Sequence, residues 1–230
     1  MLGQPSASKR AAAASFAFQP HGKDVAKLVE DLPASDPVRG YLAAMSAGDA
    51  WDREIRKVAR AHDGTLVGLL ASYRAILHDA QERGGKKALA AMIKDLHASY
   101  PEARFFRYAA VRRVSDQHGW SDRDFVASLW DGLASDPLLG PVGDREVAVL
   151  GYRDDNPKKA ADRAVRAFER SLEAGLPFSI DWRMRSAIVR GRGEIGLELL
   201  VSRWRAGVLA RGNAEQILAY MQAALTPYGP

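Results

Sequence analysis

Ser35-Asp36-Pro37-Val38-Arg39-Gly40-Tyr41-Leu42-Ala43-Ala44-Met45 holds the signals of a complete short helix. Asp36 can accept hydrogen bonds from the free N–H groups of a first turn. Pro37 suits the first helical position, where its missing N–H has no intrahelical acceptor to lose. Val38, Tyr41, Leu42 and Met45 then recur at spacings of three and four, so one face is apolar. Gly48 suits an end.

The same punctuation recurs in both directions. Upstream, Val25, Leu28, Val29 and Leu32 give a helical face over Lys23 to Leu32, stopped by Pro33. Downstream, Asp49 can cap a helix carrying Trp51, Ile55 and Val58, which Asp63-Gly64 breaks. Thr65 opens a long helix to about Arg83 with Leu66, Leu69, Leu70, Tyr73, Ile76 and Leu77 inward. Gly84-Gly85 turns the chain, and Lys86 to Ser99 follows on Leu89, Met92, Ile93 and Leu96. Pro101 starts a helix with Phe105, Tyr108, Ala109 and Val111, closed at His118-Gly119, and Ser121 can cap one bearing Phe125, Leu129 and Trp130.

Residues 136–152 read two ways. Val147, Val149 and Tyr152 alternate as in a short strand, yet a lone strand needs a partner, and a short helix fits as well. Asp154-Asp155-Asn156-Pro157 then starts a helix to about Ala174, with Val165, Phe168 and Leu172 inward and Gly175 at its C-terminal end. Asp181 can cap a helix to about Arg190. Ile195 to Ala210 is helical on Leu199, Leu200, Trp204 and Leu209, and Asn213 with Gln216 opens a last helix on Ile217, Tyr220, Met221 and Leu225. The expected fold is all-α: nine or ten short helices packed as a bundle or as stacked pairs, with at most one short strand pair near 144–153. Residues 23–230 form one helical domain, with a subdivision near 136–153 as the alternative.

Met1 to Lys23 differs. It is rich in serine and alanine, carries Lys9, Arg10 and Lys23, and has no acid before Asp24. It reads as a flexible leader over 1–22, of the kind found on transit peptides and bacterial secreted effectors, without the apolar core of a Sec signal. A cytoplasmic location, or secretion by a non-Sec route, follows. No apolar run reaches the roughly 18 residues of a membrane span.

Two segments echo one another: Ala34-Ser35-Asp36-Pro37 before Gly40, and Ala134-Ser135-Asp136-Pro137 before Gly140. A duplication would produce this, and so would repeated use of a common helix start.

The chain has 230 residues, a formal net charge of +5 and no cysteine. Disulfides, thiolate catalysis and cysteine-ligated metals are therefore excluded. Gly191-Arg192-Gly193-Glu194-Ile195-Gly196 fits a dinucleotide-binding pattern literally. No strand precedes it, and Glu194 would face the phosphates, so a glycine-rich break between helices is the expectation. Gly84-Gly85-Lys86-Lys87 lacks the remaining residues of a phosphate loop. His21, His62, His78, His97 and His118 show no metal-ligand spacing; His97 after Asp95 and His78 before Asp79 could be oriented bases, or ordinary helix-surface histidines. Neither cofactor nor metal is expected.

Charge is more telling. Between Asp181 and Arg211, seven arginines meet three acids, so this window holds +4 of the total +5. Arginine forks suit phosphate or carboxylate, and Trp182 and Trp204 lie among them. Arg183, Arg185, Arg190, Arg192, Arg203 and Arg205 are the candidate partner- or anion-binding residues. A smaller cluster is Arg104, Arg107, Arg112 and Arg113. The function expected is a non-catalytic binding or adaptor protein that meets a protein partner on this arginine-rich face, in the manner of a secreted effector. The alternatives are a nucleic-acid binder using the same face, and an enzyme whose site forms between helices.

Overall fold

The computed structural model describes residues 29–82, 85–119, 121–151, 156–176, 180 and 182–211. The leader, residues 23–28 of the helix expected over Lys23 to Leu32, Asp154-Asp155, Asp181 and the helix expected from Asn213 lie outside the described residues, as do the side chains of Leu199, Trp204, Arg205 and Leu209. Among the described residues the chain is all-α, without a strand. It divides into two compact units, up to Gln117 and from His118 onward.

The first unit contains α1 (Pro37–Met45), a 3-10 turn (Gly48–Ala50), α2 (Trp51–Ala61), α3 (Leu66–Gln81), α4 (Lys86–Ser99) and α5 (Arg104–His118). Asp36 caps α1 through Oδ1, which accepts the Val38 N–H at 2.9 Å. Thr65 caps α3 by accepting the Gly68 N–H at 3.2 Å. Asp49 does not cap α2; it lies within the 3-10 turn that precedes it. Helix α3 packs against α1, α2 and α4. The core joins Tyr41, Leu42 and Ala44 of α1 with Ile55 of α2 and Ala71 and Ala75 of α3.

Two expected core residues are outside. Leu66 is 65 % exposed and Phe105 67 %. Helix α3 instead buries Gly68, Ala71, Ala75 and Ala80 beside Leu69 and Ile76. Alanine does not register strongly in an apolar pattern, yet it lets a helix approach its neighbours closely. A side chain at Gly68 would collide with the His62 carbonyl and crowd the Tyr100 hydroxyl. In α5, Ala110, Val111 and Val114 are the buried face. Phe105 precedes that face, in edge contact with Phe106, which in turn meets Tyr73 at 5.2 Å between ring centroids.

The second unit contains α6 (Arg123–Asp131), α7 (Leu139–Leu150), α8 (Pro157–Glu173) and α9 (Trp182–Arg211). The strand alternative for 144–153 gives way to α7, whose Ala148 and Val149 enter a core with Ala164, Ala167 and Phe168 of α8 and Met184, Ile188, Leu197 and Leu200 of α9. Helix α9 is two helices run together, broken at Gly193 with φ at 74°. The two Ser-Asp-Pro turns share one local chemistry. Asp136 Oδ1 accepts the Leu138 and Leu139 N–H groups at 3.0 and 3.1 Å, much as Asp36 accepts from Val38. The sequence echo thus corresponds to a shared cap chemistry at two helix starts.

His97 adds a test of packing in the first unit. Its Nε2 is buried with no hydrogen-bond partner among the described residues. Burial, then the charge of Arg107, lowers its pKa from 6.5 to about 4. The unfolded chain thus takes up a proton below pH 6.5 that the folded imidazole refuses until about pH 4. Stability from this source is present above the unfolded value and lost as pH falls toward the folded one. Urea unfolding should show a lower midpoint at mildly acidic than at neutral pH, and His97→Gln should shrink that difference.

A cationic cleft beside a buried aspartate

Helix α8 begins at Asn156, whose Oδ1 accepts the Lys159 N–H at 3.2 Å, with Pro157 at the first helical position. Its alanines face the core: Ala160, Ala161, Ala164 and Ala167 are buried. Its cations fall elsewhere. Arg163, Arg166 and Arg170 are spaced at three and four, so they share one side of the helix.

All three converge on Asp144 of α7, whose side chain is 2 % exposed. Arg163 Nη1 donates to its Oδ1 at 2.9 Å, Arg166 Nε to its Oδ2 at 2.9 Å, and Arg170 Nη1 to its Oδ2 at 3.1 Å. Arg166 Nη2 also bonds Oδ1. The clamp reaches further. Arg163 forks onto Asp131 at the end of α6, at 2.6 and 3.1 Å. Arg170 Nη2 donates to the Ala134 carbonyl at 2.6 Å. Burial would raise the Asp144 pKa, but the hydrogen bonds from Arg166 and Arg163, the charge of Arg166 and the bond from Arg170 outweigh it and hold the carboxyl below its ordinary value.

On the N-terminal side of this clamp lies a cleft of about 280 Å³ lined by Asn156, Lys158, Lys159, Asp162, Arg163 and Arg166. Among the described residues, the Lys158 and Lys159 ammonium groups have no ion-pair partner. Arg163 and Arg166 are engaged by Asp131 and Asp144, so the positive charge of the lining comes from Lys158 and Lys159, and the first turn of α8 adds its own partial positive charge.

The arginines singled out in the sequence do not gather in one place. Arg192 lies next to this cleft: its Nη2 and Nε donate to Asp162 at 2.7 and 3.2 Å. Arg203 lies 3.9 Å from Glu169, and Arg185 lies 3.9 Å from Glu194 across the break in α9. The Arg183 guanidinium sits over the indole of Trp182, 5.3 Å from the ring centroid. Arg190 is exposed, and the Arg205 side chain lies outside the described residues. The window charge also has a counterweight. From His118 onward the sequence carries fifteen bases and fifteen acids, so this half of the chain is formally neutral and its positive character is local.

The glycine motif has a packing role. A side chain at Gly191 would strike the Pro157 carbonyl and the Ala161 methyl, so glycine there lets α9 lie against the first turn of α8. Gly193 supplies the positive φ of the break. In the first unit, Asp52, His78 and Asp79 can bring one ligand atom each within 4.8 Å of one another. Arg56 already bridges the two carboxylates, at 3.0 Å to Asp52 and 2.5 Å to Asp79, and His78 packs edge-on to Trp51. That group ties α2 to α3.

No protein-family model, no curated protein and no solved structure matches this chain.

Removing the central carboxylate tests the clamp. Asp144→Ala should cost about 2–4 kcal/mol in chemical denaturation, toward the lower end because the arginines left behind are partly in water. The depressed pKa contributes stability above the ordinary aspartate value of about 3.9, which is lost as pH falls through the lower folded value. The variant should therefore lose part of the acid limb of the unfolding curve.

Proposed function

We propose that this chain is a non-catalytic helical binding protein, and that it takes hold of an acidic segment of a protein partner at the start of α8. The reading rests on one observation: Lys158, Lys159, Arg163 and Arg166 line a single cleft in which Asp162 is the acid. Arg163 and Arg166 are held rigidly by Asp144, so ordering them on binding costs little further entropy. Lys158 and Lys159 are exposed and can move to meet carboxylates of varied spacing. In this proposal Arg192, which bonds Asp162 beside the cleft, extends the recognition surface toward α9.

The same face would also attract nucleic acid. Two features favour the acidic protein segment. The half of the chain that carries the cleft is formally neutral, so it lacks the broad positive field that a polyanion exploits. One face of the exposed Trp182 ring is already taken by Arg183, which limits it as a platform for bases.

The test is fluorescence anisotropy with a labelled decaglutamate peptide and, separately, a single-stranded DNA of equal charge. The peptide should bind, and its affinity should fall as salt rises from about 0.05 to 0.3 M. Lys158→Glu with Lys159→Glu should weaken it by about tenfold or more. Replacing Arg183, Arg185, Arg203 and Arg205 by glutamine should have a smaller effect. Absence of peptide binding, or indifference to the double substitution, removes the proposal. Tighter binding to DNA than to peptide replaces it with the nucleic-acid reading.

A further inference from the structure

The first unit holds a larger cavity, of about 560 Å³. This is within the size range of small-molecule sites, roughly 300–1,000 Å³. Helices α2 and α4 form its walls, and Ser72 and Ala75 of α3 lie between them. The void exists because small side chains line it where larger ones would fill it, with Met92 and Leu96 giving an apolar surface.

The lining carries both charges. Arg56 and Arg60 come from α2, Asp95 from α4, and Asp63 from the turn that follows α2. Arg56 is engaged with Asp52 and Asp79. Arg60 and Asp95 have no ion-pair partner among the described residues, although they line one cavity. Asp63 and Tyr100 are fixed at its mouth: Ser99 Oγ donates to Asp63 Oδ2 at 3.3 Å, and the Gly64 N–H donates to the Tyr100 hydroxyl at 3.1 Å. The cavity thus offers a guanidinium, two carboxylates and the apolar side chains of Met92 and Leu96.

We infer that this cavity is a binding site for a small zwitterion with an apolar body, a free amino acid or dipeptide. Its carboxylate meets Arg60, its ammonium meets Asp95 and Asp63, and its side chain rests on Met92 and Leu96. An anion alone would leave the acidic groups unanswered, and a cation alone the guanidinium, so recognition requires both charges. The site is separate from the cleft on α8 and does not depend on the function proposed for it.

Calorimetric titration of the full chain with leucyl-leucine, N-acetyl-leucyl-leucine and leucyl-leucinamide tests this. The free dipeptide should bind, and each blocked form, lacking one charge, should bind about tenfold more weakly or less. Arg60→Ala should abolish the distinction between the free acid and the amide, and Asp95→Asn should reduce that between the free amine and its acetylated form. Both residues are exposed, so neither change threatens the fold. Ala98→Met, at an exposed position that lines the cavity, should weaken binding, with the helical circular-dichroism spectrum reporting that the unit still folds. Equal binding of all three ligands, or none of the dipeptide at millimolar concentration, overturns the inference.

Discussion

The second unit depends on a single carboxylate. A buried aspartate is costly unless its charge and its lone pairs are answered. Asp144 receives three guanidinium groups, and each of these is also placed by something else: Arg163 by Asp131, Arg170 by the Ala134 carbonyl, and all three by the backbone of α8. Desolvation and attraction therefore fix geometry as much as energy. Helices α6, α7 and α8 are tied where α7 has few large apolar side chains to offer, and glycine at 143 lets α7 close on the Trp130 carbonyl. A hydrophobic replacement could match the stability, but not the placement of three cations on one side of a helix.

That placement links fold to recognition. Arg163 and Arg166 serve the clamp and also line the cleft, so the fold itself holds two of the four cations. The lysines ahead of them carry charge without structural duty. Glycine at 191 has a comparable effect on the other side, because it brings α9 against Pro157 and puts Arg192 within reach of Asp162.

The helices were legible in the sequence because their ends are marked by chemistry that acts locally. Asp36 before Pro37, Thr65 at α3 and Asn156 before Pro157 each accept the backbone N–H that the capping rule requires. The core was less legible. Periodicity weighs leucine and phenylalanine heavily, so it placed Leu66 and Phe105 inside, whereas helices that approach closely bury alanine and glycine. Residues 136–152 were ambiguous because two forces other than amphipathic pattern hold α7: the Asp136 cap and the buried ion cluster at Asp144. A charged core residue weakens the very signal by which a core helix is recognised.

The site was hidden for a related reason. Counting charge along the chain favoured 181–211, where arginines are dense. Charge in space is set by what each helix packs against, and α8 presents Asp162 and Glu169 to arginines of α9. Density in sequence therefore marked three cations, Arg185, Arg192 and Arg203, that have counterions. The one signal that could have found the cleft was the spacing of Arg163, Arg166 and Arg170, with Lys158 and Lys159 a turn earlier. A helix whose apolar face is mostly alanine, and whose other face repeats arginine at three and four, has more guanidinium than solvation alone requires. Such a helix calls for a buried acid elsewhere, and Asp144, shortly before Val147-Ala148-Val149-Leu150, was the place to look.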